Sequence, residues 1–248
     1  MRIIRGVYRL TAIVLIILGG TALILPTIWL PFRIRGIKPS AWGVTIITRF
    51  FMLIFKVRYI CLEPEKFRRL EGFVFPNHST YLDILMMTHL IPMRFVAKEE
   101  VKRFPIVGAL GKAIGCVFVK RENKESRAQA RVILAKAERF PPIVLFPEGK
   151  TGSGETLQEF RYGAFEIAVE NEIPFLPCVI LFDKPEYVRW LGEKFPKVIW
   201  RLASRPGWLT AKLVPLDVIH PKKEDDARKL AEEVYQEMSA VYEKGLEN

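Results

Sequence analysis

The sequence contains few of the residues that bind metal ions or crosslink a secreted chain. Its 248 residues include three cysteines and three histidines. Cys61, Cys116 and Cys178 are widely separated in apolar surroundings, and no histidine clusters with them. Neither a disulfide framework nor a metal site is indicated, and reduced thiols are typical of a domain that faces the cytoplasm.

Acidic residues are also scarce relative to basic ones. The chain has 27 aspartates and glutamates against 38 lysines and arginines, which gives a formal net charge of +11. Such a charge favours an anionic partner, either nucleic acid or anionic lipid. Because the sequence has no zinc-finger spacing and no RNA-recognition signature, nucleic acid is not predicted. The apolar N-terminus favours anionic membrane lipid instead.

This apolar N-terminus has two segments. Residues 10–30 carry no charge and could cross a hydrocarbon layer at about 1.5 Å per residue. Residues 42–55 are apolar but short for a span and contain Arg49. A secretory signal peptide is disfavoured, because the apolar core is long and no convincing small-residue cleavage site is present.

Two anchoring models fit these segments. In the first, one helix spans the membrane and the second lies at the interface. In the second, both helices enter and leave from the same face. Basic residues flank the first segment at both ends, so the positive-inside rule does not orient a single span. Together with Pro26, these flanks favour the second model.

Beyond residue 60, short apolar runs alternate with helical stretches, as in α/β layer folds. The predicted strands are 73–75, 94–97, 116–120, 143–146, 175–181 and 211–215. The predicted helices are 81–90, 124–139, 163–171 and 225–244. We expect an α/β fold with a mixed, mostly parallel central sheet flanked by helices. This α/β domain of residues 59–248 would follow a membrane-anchoring helical segment of residues 1–58.

The stretch FVFPNHSTYLD places His78 and Asp83 five positions apart. Within one helix these side chains would diverge by roughly 140°, so they meet only if His78 precedes the helix. Ser79 and Thr80 are suitable caps for a helix that starts there, with Asp83 in its first turn. The carboxylate could then hold one ring nitrogen of His78 and leave the other as a base. The alternative is that both residues serve only the helix end.

A second stretch, IVLFPEGKTGSGETL, predicts a strand followed by a glycine-rich loop that can approach an anion. Gly149, Lys150 and Thr151 match the end of a nucleotide P-loop. That motif also needs a glycine five residues before Gly149, and Val144 stands there, so a P-loop is excluded. The alternative is a loop whose glycines serve only the turn.

Four short sequence motifs, in their order along the chain, resemble those of the glycerolipid acyltransferase family. Its bacterial members include the 1-acylglycerol-3-phosphate acyltransferases. The four motifs are NHSTYLD (the HxxxxD motif), GCVFVKR, FPEG and IPFLPCV, within about residues 70–180. By this resemblance, His78 is the general base and Asp83 its orienting partner. The resemblance implies a substrate-binding set comprising Lys98, Lys120, Arg121, Glu148, Gly149, Lys150, Thr151 and Arg161.

One departure concerns the acceptor headgroup. Many family members that use lysophosphatidic acid continue FPEG with Thr-Arg-Ser, whereas Lys150, Thr151 and Gly152 follow here. Lys150 or Arg161 could supply the missing charge, although lysine does not reproduce a bidentate arginine. Lysophosphatidic acid and another lysolipid, such as a lyso-ornithine lipid, both remain open.

The resemblance implies a membrane-bound O-acyltransferase of phospholipid biosynthesis, located at the cytoplasmic face of the inner membrane. It would move an acyl group from acyl-CoA or acyl carrier protein, as co-substrate without a bound cofactor, to the sn-2 hydroxyl of a lysophospholipid. The product from lysophosphatidic acid would be phosphatidic acid. Two rivals are a non-catalytic lipid-binding membrane protein and a hydrolase with Ser79 as nucleophile. The second lacks a GxSxG elbow.

Overall fold

The computed structural model describes residues 1–120, 123–190 and 192–247. Its α-helices are α1 (Arg2–Ile24), α2 (Pro39–Ile54), α3 (Pro64–Arg69), α4 (Leu82–Leu90), α5 (Pro105–Ile114), α6 (Lys124–Ala135), α7 (Gly163–Glu170), α8 (Phe195–Ser204) and α9 (Ala227–Glu247). Its strands are β1 (Val57–Cys61), β2 (Phe73–Pro76), β3 (Arg94–Lys98), β4 (Val117–Val119), β5 (Ile143–Val144), β6 (Phe175–Phe182) and β7 (Leu209–Pro215). Three 3₁₀ segments occur at Leu25–Trp29, Glu99–Arg103 and Pro185–Tyr187.

The strands form one sheet in the order β1-β7-β6-β2-β5-β3-β4. All neighbouring strands are parallel except β6 and β7, which are antiparallel. The predicted mixed, mostly parallel sheet flanked by helices is therefore confirmed. At its centre, β2 lies between β5 and β6, so the chain that leaves β2 emerges near the ends of both neighbours.

All six predicted strands are present, although β4 and β5 are shorter than expected. The sequence analysis missed β1 because its apolar positions directly follow those of α2 and merge with them. Helices α3, α5 and α8 were not predicted either. Gly108 and Gly111 lower the helix propensity of α5, and α8 is only ten residues long.

The sheet separates two hydrophobic clusters, because neighbouring side chains of a strand point to opposite faces. In β2, Val74 belongs to the first cluster, whereas Phe73 and Phe75 belong to the second. The first cluster includes buried residues of α1, α2, α4 and α8, and the second includes residues of α6, α7 and α9. The N-terminal helices thus share their core with the sheet.

Two buried arginines connect α1 to the rest of the fold. Arg9, with 2% of its surface exposed, donates to the carbonyl oxygens of Ala203 and Arg205 at 3.0 Å each. Arg205 in turn donates to the carbonyls of Phe55 and Lys56. The first part of α1 is therefore fixed to the C-terminal end of α8 and, through Arg205, to the end of α2. The predicted division after residue 58 falls within β1 and stays a prediction.

Gly72, directly before β2, allows the two central strands to approach. A Cβ atom there would lie 1.9 Å from the carbonyl oxygen of Pro174, which also accepts the Phe73 N–H at 2.9 Å. We expect Gly72→Ala to lower the free energy of unfolding by about 3 kcal/mol, because the backbone itself must move. Gly163→Ala, where the added atom meets nothing within 4 Å, is the matched control. Urea unfolding in detergent measures both variants. A free energy of unfolding equal to that of the wild type in Gly72→Ala would contradict the prediction.

Candidate active site

The candidate site lies where the chain leaves β2. Asn77 fixes this exit to the neighbouring strand, because its side chain accepts the N–H of Ile180 at 2.7 Å and donates to the carbonyl of Ile180 at 3.2 Å. His78 follows, before α4 begins at Leu82. The loop after β5 opens at the same edge of the sheet and carries the FPEG block.

His78 and Asp83 are in contact. The Nδ1 atom of His78 lies 3.0 Å from Oδ2 of Asp83, which also accepts the backbone N–H groups of Ser79 at 2.7 Å and Thr80 at 2.9 Å. Asp83 is fully buried. One carboxylate oxygen thus accepts three hydrogen bonds, and its contact with Nδ1 orients the imidazole with its proton on that nitrogen.

The expectation that Ser79 and Thr80 cap α4 is wrong. Tyr81 precedes the helix, and no side chain caps its N-terminus. The Thr80 hydroxyl accepts only the N–H of Leu82, at 3.4 Å. Asp83 instead turns back from the first turn and binds the preceding N–H groups, so the residue predicted to orient the base also closes the loop.

The FPEG loop holds His78 through its backbone and its ring. The His78 N–H donates to Oε1 of Glu148 at 2.8 Å, and its carbonyl accepts the N–H of Gly152 at 2.7 Å. The Nε2 atom lies 3.1 Å from Oγ1 of Thr151, and the ring of Phe146 stacks on the imidazole with 4.0 Å between centroids. Phe146 was not predicted as a site residue, because an apolar residue at that position is also consistent with the end of a strand.

Glu148 supports this loop from the interior. It is 3% exposed, and its Oε2 accepts a hydrogen bond from the Gln158 side chain at 2.9 Å. Burial raises the pKa of Glu148 to about 7, and the negative charge of Asp83 adds to this increase. The hydrogen bonds from His78 and Gln158 lower the pKa and offset part of the effect. Predicted as part of the acceptor-binding wall, Glu148 is not among the cavity-lining residues that the structure describes.

The raised pKa of Glu148 predicts a pH-dependent contribution to stability. The folded-state pKa of about 7 exceeds the ordinary value of 4.5, so the folded protein binds the proton more tightly. The contribution of Glu148 is therefore complete below about pH 4.5 and decreases by roughly 3 kcal/mol as the pH rises through 7. Glu148→Gln should remove this decrease. Urea unfolding of both proteins at pH 5 and pH 8 tests it, and identical pH slopes would contradict it.

The imidazole of His78 borders a cavity of about 620 Å³ between the sheet and helices α6 and α7. Five cationic side chains line it together with His78. Arg131 is paired with Glu166 and Glu170, and the other four are Lys98, Arg127, Lys150 and Arg161. Across the described part of the chain, no carboxylate forms a salt bridge with any of these four. A further part of the lining is apolar: Val96, Val119, Ala130, Leu134, Val144 and Ile167. The cavity can therefore receive an anionic group and an apolar chain beside the imidazole.

The other predicted binding residues are distributed differently. Gly149 and Thr151 line the cavity, and Gly149 has a φ of 74°, a left-handed conformation that favours glycine. A Cβ atom at Gly149 would lie 2.9 Å from the Arg161 side chain. Lys120 lies elsewhere, in a second cavity, with its Nζ 3.6 Å from Oε2 of Glu99. Arg121 lies outside the described residues.

Among the described residues, no group of three or more histidine, cysteine, aspartate or glutamate side chains is arranged to hold a metal ion. The hydroxyl of Ser79, the nucleophile of the hydrolase alternative, forms no hydrogen bond with His78 in the described structure. The Nε2 atom of His78 is directed at Thr151 instead. The geometry therefore disfavours a Ser79–His78 pair.

Two curated relatives match a large part of the chain. A 1-acyl-sn-glycerol-3-phosphate acyltransferase of Neisseria gonorrhoeae is 27% identical over 66% of this chain and 67% of its own. A lyso-ornithine lipid O-acyltransferase of Rhizobium meliloti is 30% identical over 66% of this chain and 54% of its own. For another of the first relatives, the match spans only 32% of the relative's length.

A solved structure has the same fold. The 1-acyl-sn-glycerophosphate acyltransferase PlsC from Thermotoga maritima superposes with a TM-score of 0.75 at 20% identity. The superposition covers 98% of this chain and 97% of that chain, including the N-terminal helices. The family model described as Acyltransferase matches residues 59–181, which include His78, Asp83 and the FPEG block. The resemblance seen in the sequence is thus confirmed, and the chain belongs to the acyltransferase family of enzymes.

Proposed function

We propose that this protein transfers a fatty acyl group from a thioester donor to the sn-2 hydroxyl of a lysophospholipid, with lysophosphatidic acid as the first candidate acceptor. The donor would be acyl-CoA or acyl carrier protein. The observation that carries the proposal is the position of His78, whose Nδ1 is held by Asp83 while its ring borders a cavity with four unpaired cations. A base beside a binding site for an anionic alcohol is what this transfer needs.

In the proposed step, the acceptor hydroxyl replaces the Thr151 hydroxyl at Nε2 of His78. The hydroxyl oxygen attacks the thioester carbonyl carbon, and its proton passes to Nε2. The tetrahedral intermediate then collapses, the carbon–sulfur bond breaks, and the thiol leaves with the proton held by His78. Asp83 keeps the imidazole oriented throughout and stabilises its charged form. No covalent acyl-enzyme is formed in this step.

Two backbone N–H groups are suited to stabilise the intermediate. Those of Lys150 and Thr151 form no hydrogen bond within the described structure, whereas the flanking N–H groups of Gly149 and Gly152 are both bonded. They lie beside the His78 ring, because the Thr151 side chain contacts Nε2. We assign the oxyanion to this pair, since unpaired donors already in place stabilise developing charge effectively.

The four unpaired cations of the cavity favour a phosphate-bearing acceptor. Thr151 stands where many family members that use lysophosphatidic acid have arginine, and its hydroxyl contacts the base rather than a headgroup. Arg161 is the arginine in the cavity that lies against Gly149, so we assign the phosphate contact to it, with Lys150 and Lys98 beside it. A lyso-ornithine lipid is the second candidate, because a Rhizobium meliloti relative is named for that acceptor.

Arg161→Gln should raise KM for lysophosphatidic acid roughly tenfold or more while changing kcat little, because a charge-assisted contact to the headgroup is lost. Lys120→Gln, outside this cavity and paired with Glu99, is the matched control and should leave KM within about twofold. Steady-state kinetics with both variants provide the measurement. An unchanged KM in Arg161→Gln would remove this arginine from the acceptor site.

The N-terminal helices would place the site at a membrane. The segment Arg2–Trp29 is apolar and long enough to cross a bilayer, and only 17% of its most apolar window is buried in the fold. Arg9, however, is bound to two carbonyls at the C-terminal end of α8, which holds one end of α1 on the catalytic domain. We therefore favour α1 and α2 embedding from one face, with the domain on the cytoplasmic side of the inner membrane.

The experiment that tests the acceptor is a panel of lysolipids. Purified full-length protein would be incubated with labelled acyl-CoA or acyl carrier protein and, separately, lysophosphatidic acid, lysophosphatidylethanolamine and lyso-ornithine lipid. We expect label in the diacyl product of lysophosphatidic acid first. Label in the lyso-ornithine product alone would show that lyso-ornithine lipid, and not lysophosphatidic acid, is the acceptor. Label only in free fatty acid would indicate a hydrolase.

A further inference from the structure

The segment between β3 and the middle of α5 exposes large apolar side chains beside cations. Phe104 is 60% exposed and Val107 is 56% exposed. Lys102 and Arg103 precede them, are exposed, and form no salt bridge in the part of the chain that the structure describes. Exposed apolar residues next to unpaired cations are unusual on a surface that meets only water, and they fit the interface of an anionic bilayer.

This surface is continuous with the N-terminal helices. Ile106, Leu110 and Ala113 are spaced by four and three residues and therefore share one face of α5. Leu110 and Ala113 pack in a cluster with Ile24 and Ile47, from α1 and α2. Ile106 continues that face beyond the contact, with Phe104 and Val107 beside it, so the exposed end of α5 extends the apolar surface of the two helices.

The charges of the segment complement an anionic surface. Glu99 is paired with Lys120, so its charge is already compensated. Glu100 lines the same cavity as Lys102 and Arg103. Lys98, which ends β3, lines the cavity beside His78. A short stretch of chain thus connects a cation of the active-site cavity to the exposed aromatic ring.

We propose that residues 102–107 form a third membrane contact, in which Lys102 and Arg103 bind phosphate groups of anionic lipids while Phe104 and Val107 enter the interface. The inference rests on the proposed membrane attachment and adds a contact outside α1 and α2. It places the mouth of the cavity at headgroup level. An acceptor could then reach His78 without leaving the leaflet.

A fluorescent probe tests the contact directly. Phe104→Cys would be labelled with an environment-sensitive dye in the full chain carrying Cys61→Ser and Cys116→Ser, with Cys178 buried. The matched control is Ile133→Cys in the same background, because Ile133 is exposed on α6, across the sheet from α1 and α2. On phosphatidylglycerol vesicles, the dye at 104 should shift to the blue and be quenched by nitroxide lipids, whereas the dye at 133 should not.

Kinetics provide a second readout. Phe104→Ser with Val107→Ser should raise KM for vesicle-embedded acceptor about three- to tenfold and leave activity on detergent-dissolved acceptor unchanged. Val132→Ser with Ile133→Ser, which removes two exposed apolar residues from α6, should change neither.

Three outcomes would overturn the inference, and they are distinguishable. If the chain binds vesicles but the dye at 104 stays in water, the contact fails and the attachment by α1 and α2 stands. If the dye shifts without vesicles as the protein concentration rises, a second copy covers the surface. If the chain binds no vesicles, the proposed attachment fails together with this contact.

Discussion

His78→Ala should lower kcat/KM for acyl transfer about a thousandfold, because the substitution removes the imidazole that we propose accepts the acceptor's proton. The Nδ1 atom of the ring contacts buried Asp83, and Nε2 contacts the Thr151 hydroxyl beside the cavity. Without the imidazole, the hydroxyl must attack the thioester undeprotonated. Initial rates with labelled donor and lysophosphatidic acid provide the measurement.

His220→Ala is the matched control for this substitution. His220 is exposed and lies in a different cavity, near Lys66 and Val218. It should keep full activity. A His78→Ala variant that folds and binds lysolipid but does not turn over excludes a non-catalytic lipid-binding protein. A variant that keeps more than about a tenth of the wild-type rate would show that another group is the base.

Asp83→Asn should lower kcat roughly a hundredfold to a thousandfold while leaving KM nearly unchanged. The Oδ2 atom of Asp83 accepts three hydrogen bonds, from His78, Ser79 and Thr80, and Oδ1 is buried without a partner. An asparagine must place its NH₂ group either against those donors or at the unpartnered position. Both choices leave a buried donor unsatisfied, and neither stabilises a charged imidazole. We also expect a loss of about 1–3 kcal/mol in the free energy of unfolding.

Asp226→Asn is the matched control, because it also removes a carboxylate that accepts backbone N–H groups. Asp226 accepts the N–H groups of Arg228 and Lys229 at the start of α9, but it is exposed and forms no hydrogen bond with the His78 loop in the described structure. Its substitution should cost some stability and no activity. If Asp83→Asn kept its kcat and lost only stability, Asp83 would serve the loop and not the base.

The local part of the site could be predicted from sequence, because spacing and helix geometry decide it. His78 and Asp83 meet across a helix start, and their separation of five residues already required His78 to precede that helix. The capping assignment failed for a related reason. Ser79, Thr80 and Asp83 all compete for the same few N–H groups, and only the three-dimensional turn shows that the aspartate binds them.

The contacts between distant parts of the chain could not be predicted in this way. Thr151 and Glu148 reach His78 across some seventy residues, and their placement depends on β5 lying beside β2 in the sheet. Lys120 directly follows β4 at the sheet edge, and its side chain lines a different cavity from that of Lys98. The family resemblance alone put both lysines in one binding set.

The N-terminal region shows the same division. Its apolar character was evident from composition, and the helices α1 and α2 follow the two apolar segments closely. The docking of Arg9 on the carbonyls of Ala203 and Arg205 was not evident, because an arginine beside an apolar run is equally consistent with a membrane flank. That buried contact is the observation on which we base the proposal that both helices embed from one face.

The most direct measurement of the central claim is acyl transfer by the wild type and His78→Ala in one assay, with labelled acyl-CoA or acyl carrier protein and lysophosphatidic acid in detergent. The account predicts that the wild type moves the label to the sn-2 position of phosphatidic acid and that the variant forms almost none, although it remains folded. Equal transfer by both proteins, or label appearing only as free fatty acid, would contradict it.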